Sequence, residues 1–171
     1  MIVIIMGVTG VGKTTIGELL AARTGWSFYD ADDFHSPANV EKMRSGIPLT
    51  DDDRWPWLDR LNSLLREAEA KGESAILACS ALKQRYRDRL QHGLKDVRWV
   101  YLSGEFDLIS ARLKARKGHY MNPALLQSQF EALEPPADAL CIDIDARPEV
   151  LAERVAKGLG VGDPPSQPRK V

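Results

Sequence analysis

A parallel β-sheet covered by helices on both faces is the fold class this sequence predicts. Three observations predict it: short apolar runs without polar alternation, helical periodicity between those runs, and a glycine-rich turn joining the first run to the first helix. The chain has 171 residues, about one domain's worth of polypeptide. Its 44% hydrophobic and 27% charged residues are those of an ordinary soluble domain and argue against disordered, fibrous and membrane classes.

Taken in order, residues 1–6 form a β-branched apolar run that ends at Gly7. Beyond Lys13, the residues Ile16, Leu19, Leu20 and Ala21 recur at helical spacing as far as Gly25. A second strand is expected at 26–29, broken by Asp30-Ala31-Asp32-Asp33, and three more at 75–79, 97–102 and 139–144. Helical patterns occupy about 55–70, 81–92, 105–116, 123–133 and 148–157. Two stretches exceed a minimal strand–helix alternation, a loop-rich one at 35–53 and an excursion at about 117–136 that reads as a lid. In open α/β sheets the ligand lies outside the carboxyl ends of the strands, where such insertions make walls and lids. Residues 1–160 read as the domain and 161–171, with three prolines and no periodicity, as a flexible tail.

The run at 1–6 lacks a basic flank and is too short to cross a bilayer, so neither an export signal nor a membrane segment is expected. Cys79 and Cys141 both sit in apolar stretches, where a thiol is expected as a small buried hydrophobe, and the pair suits a reducing, cytoplasmic compartment. Lys and Arg number 23 against 24 Asp and Glu, a net charge of −1. No global field exists to hold a nucleic acid or an acidic membrane, so any anion must be held locally.

Gly7-Val8-Thr9-Gly10-Val11-Gly12-Lys13-Thr14 fits G-x-x-x-x-G-K-[ST]. Glycines let backbone N–H groups turn inward around phosphate oxygens, the following helix aims its positive end at them, Lys13 adds a full charge, and Thr14 can ligate Mg²⁺. With Thr15, which follows on the helix, these residues are the expected ATP site. Three uses of a triphosphate compete. A GTP switch would carry Asn-Lys-x-Asp, which is absent, and a motor would end a strand beside the loop in a magnesium-binding Asp, whereas 75–79 runs into Ser80. A small-molecule kinase fits best. A regulatory module that had lost catalysis would have lost Lys13, Thr14 or Asp32, and all three are intact. Asp30 and Asp32, spaced by one residue at a strand end, can project to the same side. In a kinase one such carboxylate serves the magnesium shell while the other orients the acceptor hydroxyl and takes its proton.

Asp30-Ala31-Asp32 with His35, the stretch 41–54 (Glu-Lys-Met-Arg-Ser-Gly-Ile-Pro-Leu-Thr-Asp-Asp-Asp-Arg) and Trp57-Leu58 together resemble the gluconokinase family. Cys79-Ser80-Ala81-Leu82-Lys83 with Tyr86-Arg87-Asp88, then 112–120 with Gln129-Phe130-Glu131, extend the resemblance over residues 1 to about 158. The resemblance implies a shikimate-kinase-like P-loop kinase fold with a five-stranded parallel sheet and a helical lid. It also implies ATP- and Mg²⁺-dependent phosphorylation of D-gluconate to 6-phospho-D-gluconate, and a homodimer. The rival acceptor, shikimate, is disfavoured because no glycine cluster follows the third strand.

Carried over residue by residue, the resemblance implies Asp30 as a magnesium partner through water and Asp32 as the base acting on the gluconate 6-hydroxyl. It places His35, His119 and Gln129 at the substrate and Arg112 against adenine. Asp33 departs from the apolar character expected between the aspartate pair and His35. Gluconate needs a cation remote from the reacting oxygen, and Arg offers a planar fork for its carboxylate. Arg54, eight residues after Gly46, resembles the carboxylate-binding arginine of shikimate kinases. Lys83 and Arg87, at i and i+4 on an expected helix, join it as substrate contacts. Arg116 is the expected lid cation for the transferring phosphoryl group, with Arg112, Lys117 and His119 as its competitors.

Overall fold

The computed structural model describes residues 1–116 and 123–162. Five parallel strands, β1 (Ile2–Met6), β2 (Ser27–Asp30), β3 (Ala75–Ala78), β4 (Val97–Ser103) and β5 (Leu140–Asp143), stand in the order β2-β3-β1-β4-β5. Their crossovers are α1 (Lys13–Thr24), α2 (Pro37–Arg44), α3 (Asp51–Ala70), α4 (Gln84–Gln91), α5 (Phe106–Ala115), α6 (Pro123–Ala132) and a closing α7 (Pro148–Leu159). A short 3₁₀ turn, Ala31–Phe34, follows β2. Among the described residues no helix is long and apolar enough to cross a membrane.

The lack of alternation in β1 has a direct cause: all five of its residues are fully buried because both faces of the sheet are covered. Val3 and Ile5 point into a core with Ile16 and Leu20 of α1, Ile109 of α5, and Leu151 and Val155 of α7. Ile2, Ile4 and Met6 point the other way, onto Leu58, Leu61 and Leu65 of α3 and Leu90 of α4. Each such side chain contributes about 1.5–3 kcal/mol by leaving water. β5 is an edge strand, and there Cys141 is exposed, in contrast to buried Cys79. The expectation of a buried thiol at 141 fails because Leu140 and Ile142 turn to the core and Cys141, between them on the strand, points to the opposite face of the sheet.

Three boundaries depart from the sequence reading. The stretch 35–53 is largely helical. Ser36 accepts a hydrogen bond from Asn39 N and Pro37 opens α2, while Thr50 and Asp53 form a reciprocal capping box that starts α3 four residues before the expected 55. Asp51, Asp52 and Asp53, which read as loop, are first-turn carboxylates facing the helix's positive end. The helix expected from 81 begins only at Gln84, because Ala81 takes a left-handed conformation (φ 44°) and Lys83 is extended.

The expected lid at 117–136 is described only from Pro123. From there α6 is docked: Leu126 is buried, Phe130 meets Phe106 edge-on at 5.4 Å, and Glu134 N donates to Leu82 O at 2.8 Å. Lys117, Gly118 and His119, and residues 163–171 of the expected tail, lie outside the described residues.

Candidate active site

The chain leaves β1, goes to the far edge at β2, and returns to β3 between them before crossing to β4. Connections from β1 and β4 therefore diverge, opening the crevice where a doubly wound sheet binds its ligand. Residues 7–12 fill this crevice. Gly10 and Gly12 have φ of 84° and 96°, a region closed to most side chains, and a Cβ at Gly10 would meet Leu113 at 2.9 Å. Lys13 Nζ folds back onto the loop, donating to Gly7 O at 2.9 Å and Val8 O at 3.0 Å. Removal from water pushes its pKa down to about 8, against the opposing pull of Asp32.

Thr14 Oγ1 donates to Asp30 Oδ2 at 2.8 Å, and Asp30 Oδ1 accepts from Asp32 N at 3.0 Å. Thus the end of β2 is tied to the start of α1, with Asp32 one step further on. Burial and the neighbouring Asp30 carboxylate raise the pKa of Asp32 above the ordinary aspartate value, although Lys13 partly opposes them. Hydroxyl and carboxylate oxygens such as those of Thr14 and Asp30 are the hard donors a Mg²⁺ ion takes, along with water and phosphate. No cluster of three or more His, Cys, Asp or Glu capable of holding a metal occurs among the described residues.

Beyond the carboxyl end of β2, where the acceptor is expected, Trp57 organises a wall. Its Nε1 donates to Ala31 O at 2.8 Å, and its ring stacks on His35 with centroids 4.1 Å apart. Asn39 Nδ2 donates to Asp53 O at 2.9 Å and lies 3.5 Å from His35 Nδ1. Burial, then the nearby Arg54 charge, lower the pKa of His35 and so favour the neutral ring. A neutral ring that accepts at Nδ1 carries its proton on Nε2, available to an oxygen in the pocket.

Arg54 lies over the Tyr86 ring at 5.2 Å, and its Nη1 donates to Leu49 O at 2.7 Å and Tyr86 Oη at 3.3 Å. Tyr86 Oη in turn donates to Asp51 Oδ1 at 2.6 Å, and Arg85 Nε pairs with Asp51 Oδ2 at 2.7 Å. Asp51 is thereby engaged by Tyr86 and Arg85, with Arg54 Nη1 at a longer 3.8 Å. Nε and Nη2 of Arg54 make no hydrogen bond among the described residues, which leaves a two-nitrogen fork of the shape a carboxylate takes. Lys83, half-buried at the start of α4, has no side-chain hydrogen bond or ion pair among the described residues.

Outside the phosphate loop, a cavity of about 530 Å³ lies between Gly12, Thr15, Arg112, Arg116 and the turn Asp145-Ala146-Arg147. Arg112 Nη2 donates to Ile144 O at 2.8 Å, so the guanidinium bridges α5 and the turn after β5. Arg116, at the end of α5, lines the same cavity, and its charge reaches Lys13. The turn at 145–147 was not singled out from the sequence. Its signal was available: it follows the carboxyl end of a strand, the edge where ligands sit.

Two expected substrate contacts stand elsewhere. Arg87 is 2% exposed, and its guanidinium donates to Ala81 O, Gln84 Oε1 and Glu134 O. Its i, i+4 partnership with Lys83 fails because Lys83 precedes the helix. Gln129 Oε1 accepts from Thr9 N at 2.7 Å, on the phosphate loop rather than the acceptor wall.

Comparisons with known proteins agree with this geometry. The shikimate kinase family model matches residues 9–157. The probable gluconokinase of Mus musculus is 46% identical over 172 residues, covering 88% of this chain and 94% of that protein. The thermosensitive gluconokinase of Escherichia coli (strain K12) is 47% identical over 146 residues, covering 83% of this chain and 78% of that protein. The crystal structure of a gluconokinase from Sinorhizobium meliloti 1021 superposes with a TM-score of 0.84 at 38% identity, covering 92% of this chain and 90% of that one. With the phosphate loop, the paired aspartates and the five-stranded sheet already in place, these likenesses show that the chain belongs to the gluconokinase family of P-loop kinases.

Proposed function

We propose that this kinase transfers the γ-phosphoryl group of ATP to the 6-hydroxyl of D-gluconate, giving 6-phospho-D-gluconate and ADP. One observation carries the reading: Arg54, whose charge reaches His35, keeps Nε and Nη2 without a hydrogen bond among the described residues, and the Asp32 carboxylate lies within electrostatic reach of Lys13. A substrate with a carboxylate at one end and a primary hydroxyl at the other suits this arrangement.

In the reaction Arg54 grips the carboxylate, and His35 Nε2 and Lys83 Nζ hydrogen-bond the polyol. Asp32, ionised, orients O6 and takes its proton as the O6–phosphorus bond forms and the bond to the ADP oxygen breaks. Lys13 turns from the loop carbonyls to the β- and γ-phosphates, whose charge restores its full protonation. Arg112 borders the adenine side of the nucleotide, and Arg116 meets charge on the transferring group. Thr14 would hold Mg²⁺ directly and Asp30 through water. The ion would supply charge neutralisation on the β- and γ-phosphate oxygens. The segment 117–136 acts as the lid that keeps water from the phosphates.

A coupled ADP-release assay across gluconate, other sugar acids, shikimate and nucleoside monophosphates tests the reading. Gluconate should give the highest kcat/KM of the panel. A higher value for shikimate or for a nucleotide would overturn it.

A further inference from the structure

Arg87 is a buried cation whose hydrogen-bond partners are carbonyl and amide oxygens. A charge that leaves water is retained only when several oxygens are fixed around it, and the carboxylates of Glu134 and Asp88 lie near enough to favour the charged form, against the cost of burial. Those oxygens belong to two segments that are distant in sequence. Nη1 donates to Ala81 O at 2.7 Å; Nη2 donates to Gln84 Oε1 at 3.0 Å and to Glu134 O at 2.7 Å. The segments also bond each other directly, Glu134 N to Leu82 O at 2.8 Å and Gln84 N to Glu134 Oε1 at 2.8 Å.

The clasp surrounds the one left-handed non-glycine residue among those described, Ala81. Such a conformation persists where its surroundings over-determine it. Here it turns the chain between β3 and α4 so that Lys83, two residues on, is extended, its side chain half-buried and without a hydrogen bond or ion pair among the described residues. The same turn touches the phosphate loop through Gly7 N and Ser80 O at 3.4 Å. On its other side the clasp receives α6, whose Gln129, five residues before Glu134, holds Thr9 N.

We propose that Arg87 is a positioning residue for phosphoryl transfer: it locks the turn at Ala81 to Glu134 and so sets Lys83 against the acceptor, in register with the helix that docks on the phosphate loop. The proposal rests on the gluconate reading above. It assigns Arg87 no contact with substrate.

A double-mutant cycle with Lys83→Ala tests it, because a residue that acts through Lys83 loses its effect when Lys83 is gone. Arg87→Lys, which keeps the charge and loses the fork, should raise the KM for gluconate about tenfold in the wild-type background and less than about twofold beside Lys83→Ala. The dissociation constant for ATP should stay within about twofold of wild type throughout. Glu134→Ala, which removes the exposed acceptor of Gln84 N, serves in the same cycle should Arg87→Lys not fold, with the same pattern expected at a smaller amplitude. Equal factors in both backgrounds, a parallel loss of ATP affinity, or no effect of Lys83→Ala on gluconate KM would each overturn the proposal. The wild-type enzyme is assayed first. Failure of wild type to phosphorylate gluconate removes the functional reading, whereas an active wild type with an additive cycle removes the role of Arg87 alone.

Discussion

Thr14 Oγ1 and Asp30 Oδ2, 2.8 Å apart, join the first helical turn after the phosphate loop to the carboxyl end of β2. The hydroxyl that would ligate Mg²⁺ is thus held by the carboxylate that would hold the ion's water. A carboxylate that orients a metal's ligand in this way tunes metal affinity. Asp30→Ala is expected to raise the Mg²⁺ concentration for half-maximal velocity about 10- to 100-fold. Velocity titrations at saturating substrates measure this, and an unchanged midpoint would remove Asp30 from the metal's surroundings.

Asp32 should show opposite effects on activity and on stability. Asp32→Asn keeps the shape and removes the proton acceptor, so kcat should fall by roughly 10²- to 10⁴-fold. In the wild type, kcat/KM should fall with acid at a pH above the ordinary aspartate range, since burial and Asp30 raise this pKa. A raised carboxyl pKa means that the folded state disfavours the ionised form, which lowers stability at neutral pH. The thermal midpoint of Asp32→Asn at pH 7 should therefore equal or exceed that of wild type. A lower midpoint with unchanged kcat would reverse both halves of the assignment.

For Arg54, loss of the fork with retention of charge is the informative change. Arg54→Lys should raise the KM for gluconate by about tenfold or more, the scale of a lost charge-assisted hydrogen bond. ATP affinity, read by calorimetry, should barely move. An equal loss of ATP affinity would place Arg54 on the nucleotide side.

The capping box at the start of α3 carries an acid-sensitive increment of stability. Thr50 N and Lys42 Nζ both donate to the Asp53 carboxylate and push its pKa down to about 2. A depressed carboxyl contributes stability above its unfolded pKa of about 4, and that contribution is lost as pH falls toward the folded value. The difference in thermal midpoint between wild type and Asp53→Asn should be largest near pH 6 and shrink between about pH 4 and 2. Thr50→Ala should cost about 1 kcal/mol at neutral pH.

Much of this site was legible because its chemistry is local in sequence. Residues 7–15 must be glycine-rich loop, lysine and hydroxyl in that order, and Asp30 and Asp32 need only a strand end to share a side. The parallel sheet was legible from unalternating runs such as 2–6. What could not be read depends on contacts across the chain. Arg87 resembled a substrate cation because its burial follows from Ala81 and Glu134, one of them 47 residues away. Trp57 read as part of a motif with no stated task, since its partners Ala31 and His35 sit on another segment. The early start of α3 is a different case. Its Thr50–Asp53 cap was written in the sequence but masked by the acidic run around it.

The central claim concerns which oxygen receives the phosphoryl group, and phosphorus NMR of the product reads that oxygen directly. The enzyme is incubated with ATP, Mg²⁺ and D-gluconate, and the proton-coupled spectrum of the new phosphate ester is recorded. Transfer to the terminal hydroxyl places phosphorus beside two equivalent-scale C6 protons, so one new resonance split into a triplet is the expected result. A doublet, which a secondary hydroxyl would give, or ADP formation without any new ester from gluconate, would contradict the account.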